Sequence, residues 1–284
     1  MAPARRIVKA HSLRTPVELI RLKVMGVLNV TPDSFSDGGR FVRPEISVDH
    51  ALEMAAQGAE IIDMGAESTR PGSRGVSAAE QLRRLLPVLR AFRTQSRTPV
   101  SIDTQSAKVA QACLDAGANI INDISAMRHD PRMAGTVSKA GCEIILMHMR
   151  GTPRTMQRNP AYKDVVAEII LFFKQRLAAS DKAGIARSSI LLDPGIGFGK
   201  TLAHNLEILK RLSEFKALQC PLVVGVSRKG FLGTMTNEPA AEKRVAASVA
   251  AAVWAAVQGA EILRVHDVAE HKAALRVAEV LLNS

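Results

Sequence analysis

The chain is poor in aromatic residues, which make up 4% of its 284 positions and include one Trp and one Tyr. That scarcity excludes the stacking platform by which proteins hold single-stranded nucleic acid. A net charge of +11 would otherwise raise nucleic acid as a partner. The basic residues are spread through helix-like segments instead of forming one block, so the expectation is a basic surface suited to anionic small molecules, with no nucleic acid bound. Cysteine is scarce as well. Cys113, Cys142 and Cys220 are scattered with no C-x-x-C spacing, which argues for free thiols in a reducing, cytoplasmic setting. No apolar run approaches the length of a bilayer span, so no membrane is expected as a partner. Acidic residues are few at the start. The first 23 positions carry Arg5, Arg6, Lys9, Arg14, Arg21 and Lys23 against Glu18, with too little serine and no clear processing site for a transit peptide. Residues 1–23 therefore read as a basic lead-in. No Pro/Ser-rich linker or low-complexity stretch divides the rest, and 24–284 reads as one domain.

Two familiar glycine-loop signatures are missing too. The stretch Asp193-Pro-Gly-Ile-Gly-Phe-Gly-Lys200 comes close to both. A Walker A loop would need glycine where Pro194 stands, although Gly199-Lys200-Thr201 fits its end. A dinucleotide fingerprint starting at Gly195 would need glycine at Lys200. Nucleoside triphosphate and NAD sites are thereby excluded at this loop.

What the chain does have is apolar residues, at 47%, arranged in a rhythm. Near-continuous apolar runs at 24–28, 60–63, 99–102, 119–122, 143–147, 190–192, 222–226 and 261–265 have the character of parallel strands buried on both faces. Amphipathic segments at 47–57, 77–93, 105–116, 131–139, 162–183, 202–218, 238–258 and 271–282 read as helices. Gly58, Gly117, Gly141 and Gly259 stand where a helix would end and the next strand begin. Eight β-then-α units in unbroken series predict the α/β class and a (β/α)8 TIM barrel. An open doubly wound sheet is the alternative.

Active sites of such barrels lie at the C-terminal strand ends, and here those ends are polar. They carry Asn29, Asp63, Asp103, Asn122-Asp123, His148, Asp193, Ser227-Arg-Lys229 and Arg264-Val-His266-Asp267. A single polar tip is usually a cap or a turn former. A whole ring of carboxylates, amides and cations suits a ligand edge with alternating donors and acceptors. Asn29 offers a neutral oxygen to a hard cation such as Mg2+, and Asp33 and Asp37 add charge to the long loop that follows. Arg70, beside hydroxyls in the second loop, can grip an anion through its fork of donors. Arg264 and His266 alternate, so in an extended chain they point the same way and suit a diphosphate. His148, with no partner at metal-ligand spacing, reads as a packing histidine.

The stretches MGVLNVTPDSFSDGG, IIDMGAESTRPGS, SIDT, INDISA, LMHMRGTP, DPGIGFGK, GVSRKGFLG and RVHDV fall in order at eight successive strand ends. On them the chain resembles the dihydropteroate synthases of the pterin-binding family from about Lys23 onward. The resemblance implies a homodimer of folate biosynthesis that joins 6-hydroxymethyl-7,8-dihydropterin diphosphate to p-aminobenzoate, assisted by Mg2+. It implies an SN1-like substitution in which pyrophosphate leaves before the aromatic amine attacks. Asp103, Asn122, Asp193, Lys229, Met147, Phe198 and Arg264 would bind the pterin. Asn29, Thr69, Arg264 and His266 would bind the diphosphate, with Asn29 at the metal. Phe35, Thr69, Arg70, Pro71, Ser227 and Lys229 would bind p-aminobenzoate, and Lys229, Asp33, Asp37 and Arg70 would act in catalysis. A sulfonamide is expected to compete with p-aminobenzoate. Ile196 stands where relatives can carry phenylalanine, and Ala66 where many have glycine, which bears on pocket shape. Two other readings share the pterin pocket: a paralogue without synthase activity and a pterin-site methyltransferase.

Overall fold

The computed structural model describes residues 22–31, 44–67, 73 and 75–283. Eight parallel strands form one sheet: β1 (Lys23–Asn29), β2 (Ile61–Gly65), β3 (Val100–Asp103), β4 (Ile120–Asp123), β5 (Glu143–Met147), β6 (Ile190–Asp193), β7 (Val223–Val224) and β8 (Ile262–Val265). Seven neighbouring pairs are full ladders, and a parallel bridge from Leu192 to Leu222 joins β6 to β7 and closes the barrel. Around it run α1 (Pro44–Ala56), α2 (Ala78–Arg93), α3 (Ala107–Asp115), α4 (Met133–Ala140), α5 (Val165–Lys182), α6 (Leu202–Lys210), α7 (Gly230–Thr236), α8 (Val245–Val257) and α9 (Val268–Asn283). The expected TIM barrel is the observed fold. No helix among the described residues is long and apolar enough to cross a membrane.

Strand alternation divides the core in two. One set of side chains, including Ile62, Ile102, Ile121, Leu146, Leu192 and Leu263, packs outward against the helices. The other set is a separate cluster of Met25, Ile61, Ile120, Ile145, Leu191, Val223 and Ile262, one from each strand except β3. These fill the barrel interior as a packed layer, so the lumen is a core and not a pore.

Helix starts follow their caps. Ser77 accepts the Glu80 N–H ahead of α2, and Asp164 accepts two N–H groups ahead of α5. Two expected helices differ. The segment 202–218 is α-helical only to Lys210, and Leu212–Leu218 continues as a 3-10 helix. Leu212, Phe215 and Leu218 are buried at a spacing of three, the period that a 3-10 turn presents to one side. The segment 238–258 starts as a helix only at Val245, after Pro239 and a short 3-10 turn. Ahead of it, α7 forms from a glycine-containing stretch and ends at Asn237 in the left-handed region. Strand β7 is shorter than the run 222–226 suggested. Just past it Gly225 lies against the Arg264 side chain, where a Cβ would sit 3.7 Å from that of Arg264.

Candidate functional site

A narrow cleft opens at the C-terminal end of the barrel, lined by Asp103, Asn122, Ile124, Met147, Asp193, Ile196, Phe198, Gly225, Lys229 and Arg264. All seven residues expected at the pterin are among them. The cleft has two unlike sides. Ile124 and Met147 cluster with Met149 and Met156, and Phe198 packs against that group. Facing this apolar set are carboxylates, an amide, an ammonium and a guanidinium. A flat heteroaromatic ligand with one polar edge fits that division.

Strand ends place the polar groups. Asp193 closes β6 and is 7% exposed. Its Oδ1 accepts the Gly195 N–H at 2.7 Å, so the second oxygen is left for a ligand. Burial raises the Asp193 carboxyl above its ordinary range, while the Gly195 bond and the charges of Lys229, Arg264 and Lys200 oppose that rise. Lys229 caps α7 and carries its ammonium over the Phe198 ring, 4.2 Å from the centroid. Burial draws its amine down to about 8, against the pull of Asp193. Arg264 Nε donates to Asp63 Oδ2 at 2.6 Å and its Nη2 to Asp103 Oδ2 at 3.3 Å. Asn122 Nδ2 also donates to Asp63 Oδ2, at 3.2 Å. Burial, with Asp63 next in weight, pushes the Asp103 carboxyl up to about 7.

The glycine-rich loop is drawn tight against the β5 end. At Gly195, φ is +68°, and a Cβ there would fall 2.0 Å from the His148 carbonyl oxygen. At Gly199, φ is +63°, and a Cβ would fall 2.7 Å from the Arg150 carbonyl. Lys200, only 3% exposed, holds the two loops together. Its Nζ lies 3.0 Å from His148 Nδ1 and donates to the carbonyls of Phe198 and His148 at 3.0 and 3.3 Å. Burial draws this amine down to about 7, and burial with the nearby Lys200 draws His148 down to about 2. His148 is thus a neutral packing partner, edge-on to Phe172 at 4.9 Å. Gln157 and Tyr162 donate to the carbonyls of Gly197 and Gly199, and Asn205 accepts from Gly197.

At the other margin, Ser227, Arg228 and Lys229 have separate tasks. Ser227 Oγ accepts the His266 N–H at 3.2 Å and lies 3.0 Å from its Nδ1. Arg228 pairs with Asp267 and ties the β7 and β8 loops together. Burial and the charge of Arg264 bring His266 down to about 3, so it offers an anion a neutral ring and not a second cation. Arg264 lines the cleft, and two of its donors are already engaged by carboxylates. Asp123 is a turn former, accepting from Ser125 and Met127. Asn29 stands half-buried at the end of β1, beside Gly65. Among the described residues no three His, Cys, Asp or Glu gather as a metal cage. A lone neutral oxygen suits Mg2+, which keeps most of its shell as water and ligand phosphate. Asp33, Phe35, Asp37, Thr69, Arg70 and Pro71 lie outside the described residues. Asp63 and Lys200 are site residues with no role expected from sequence. Asp63 carried a signal, a carboxylate two places past a lumen-facing isoleucine. Lys200 carried none, because its partner His148 is 52 positions away.

A model of the family described as pterin binding enzyme matches residues 25–266. The dihydropteroate synthase of Escherichia coli strain K12 is 45% identical over 276 residues, covering 97% of both chains. The Xanthomonas albilineans dihydropteroate synthase solved with 4-aminobenzoic acid superposes with a TM-score of 0.88 at 42% identity, covering 94% of this chain and 95% of that one. The Yersinia pestis enzyme solved as a sulfonamide drug complex gives 0.88 at 45% identity, over 94% of this chain and 96% of the other.

Proposed function

The chain belongs to the family of pterin binding enzymes, and from that premise we infer that it is a dihydropteroate synthase. It transfers the pterinylmethyl group of 6-hydroxymethyl-7,8-dihydropterin diphosphate to the amine of p-aminobenzoate and releases pyrophosphate. The observation that carries this reading is the cleft itself, in which Asp103, Asn122, Asp193, Lys229 and Arg264 converge opposite Met147 and Phe198. The flat ring lies along the apolar side. Its amino and ring N–H groups meet the free oxygen of Asp193, and its acceptors meet Lys229 and Asn122.

Loss of a diphosphate leaves positive charge developing on the methylene carbon. The carboxylates around the ring stabilise that charge, and fixed groups in a closed site act without reorganising. The diphosphate lies toward Arg264, His266 and Asn29, and Thr69 completes its site. Mg2+, held by Asn29 together with the substrate's own oxygens, would supply charge neutralisation to the leaving group. Ser227, Lys229, Phe35, Arg70 and Pro71 bind p-aminobenzoate, and the Yersinia relative's complex with a sulfonamide drug supports competition by such drugs here. Asp33 and Asp37 are the acidic groups proposed to act in catalysis with Lys229 and Arg70. We propose that the working form is a cytoplasmic homodimer. The adjoining helices α8 and α9 expose Trp254, Val277, Val280 and Leu281, an apolar set that a second copy could cover.

The test is pyrophosphate release from the pterin diphosphate. Release should require both p-aminobenzoate and Mg2+, and p-aminobenzoate should bind far better once pyrophosphate and Mg2+ are present. Pterin binding without p-aminobenzoate-dependent release would mark a paralogue that has lost the reaction.

A further inference from the structure

Asp63 is fully buried at the end of the barrel where the cleft opens, yet it does not line the cleft. Arg264 and Asn122, which both donate to the Asp63 side chain, do line it. Its Oδ2 receives Arg264 Nε at 2.6 Å and Asn122 Nδ2 at 3.2 Å. Among the described residues its Oδ1 has no partner, and neither does Ser101 Oγ, which stands beside it in register on β3. Asp103, two residues further along β3, receives among the described residues only the longer 3.3 Å bond from Arg264. One guanidinium therefore serves two buried carboxylates, unequally.

We propose that Asp63 is a positioning residue for the transfer reaction: it fixes Arg264 and Asn122 from beneath the ring and leaves Asp103 as the carboxyl free to exchange a proton with the bound pterin. The proposal rests on reading the cleft as a pterin pocket. Two like charges at one cation do not both ionise readily. Among the described residues Asp63 meets two donors, at 2.6 and 3.2 Å, while Asp103 meets one, at 3.3 Å. Burial and the Asp63 charge raise Asp103 to about 7, with Glu67 and Asp123 adding to the rise and Arg264 opposing it. Lys229 also faces Asp103, from the start of α7. A protonated Asp103 donates to a ring acceptor and an ionised one accepts from a ring N–H, so the same residue can follow the pterin as its charge changes.

The experiment follows the Asp103 carboxyl by 13C NMR across pH, with Asp103→Asn to assign the resonance. In the wild-type chain the midpoint should lie near neutral. In Asp63→Asn it should fall by about one pH unit or more, because Arg264 then acts on Asp103 alone. Pterin affinity should fall roughly tenfold and lose its dependence on pH near neutral. A purely structural role for Asp63 would weaken binding without moving the Asp103 midpoint, and that result overturns the proposal. Should Asp63→Asn fail to fold, the wild-type titration still decides: an Asp103 midpoint in the ordinary carboxylate range overturns it. A wild-type chain that binds no pterin at all would overturn the pterin reading first, and this role with it.

Discussion

Two layers of the barrel interior are built on the same strands, two residues apart, and they could hardly be less alike. The lower layer is Ile61, Ile120, Ile145, Leu191, Val223 and Ile262, with Met25 from β1. Two positions on, the same strands present Asp63, Asn122, Met147, Asp193, Gly225 and Arg264. Strand β3 repeats the step from Ser101 to Asp103, and β1 takes two steps, from Met25 through Val27 to Asn29. A step of two residues is about 6.6 Å along a parallel strand and returns the side chain to the same face. Over that distance the interior changes from dry packing to a ring of charges that hold one another and await a ligand. The apolar layer contributes stability and gives the upper layer a rigid base. The upper layer carries unpaired or half-paired polar groups, which cost stability where they are buried. The two tasks are separated by position along each strand, not by region of sequence.

The comparison breaks most visibly in the lower layer. Ile145→Ala removes a fully buried side chain from the lumen cluster and should destabilise the fold by about 2–5 kcal/mol. Pterin affinity per folded molecule should stay unchanged. Denaturant unfolding and calorimetric binding on the same sample check both halves, and a parallel loss of affinity would mean that the layers are not separable.

Lys200 sharpens the comparison, because it belongs to the upper end yet acts by packing. Lys200→Met leaves the Phe198 and His148 carbonyls without their donor and should cost about 1–3 kcal/mol. The effect should also depend on pH. The folded chain lets go of this proton at about 7, while the unfolded chain keeps it until about 10.5. Between those values the unfolded state binds more protons, so the lysine's contribution to stability rises as pH climbs from about 7 toward 10 and is flat below 7. The methionine variant should lack that rise. Equal pH slopes in the two proteins, measured by urea unfolding, would contradict the burial of a neutralising amine here.

Much of the barrel was legible in sequence because parallel strands buried on both faces announce themselves as apolar runs, and Glu143–Met147 coincides with its expected bounds. What was misread depended on tertiary packing. Leu212, Phe215 and Leu218 are apolar whether the turn has three residues or 3.6, and only their burial on one side selects the tighter helix. In the site, Asp103, Asn122 and Asp193 were visible as polar residues closing apolar runs. Asp63 was visible in the same way, but its pairing with Arg264 spans 201 positions and left no local mark. His266 was legible as a partner of Arg264 at the same strand end, but the burial and the Arg264 charge that bring its imidazole down to about 3 left no local mark.

The measurement that bears most directly on the division between the layers is calorimetric titration of a pterin into the wild-type chain and into Asp193→Asn. The asparagine can keep its carbonyl oxygen on the Gly195 N–H, so the loop and the fold should stay intact. Its amide nitrogen then meets the ring's own donors where a carboxylate oxygen stood. Leaving those donors unsatisfied costs about 1–3 kcal/mol, or roughly tenfold or more in affinity. A folded Asp193→Asn chain with the stability of the wild type and a pterin affinity weakened by that factor is the expected result. Undiminished pterin affinity in that folded variant would contradict the account.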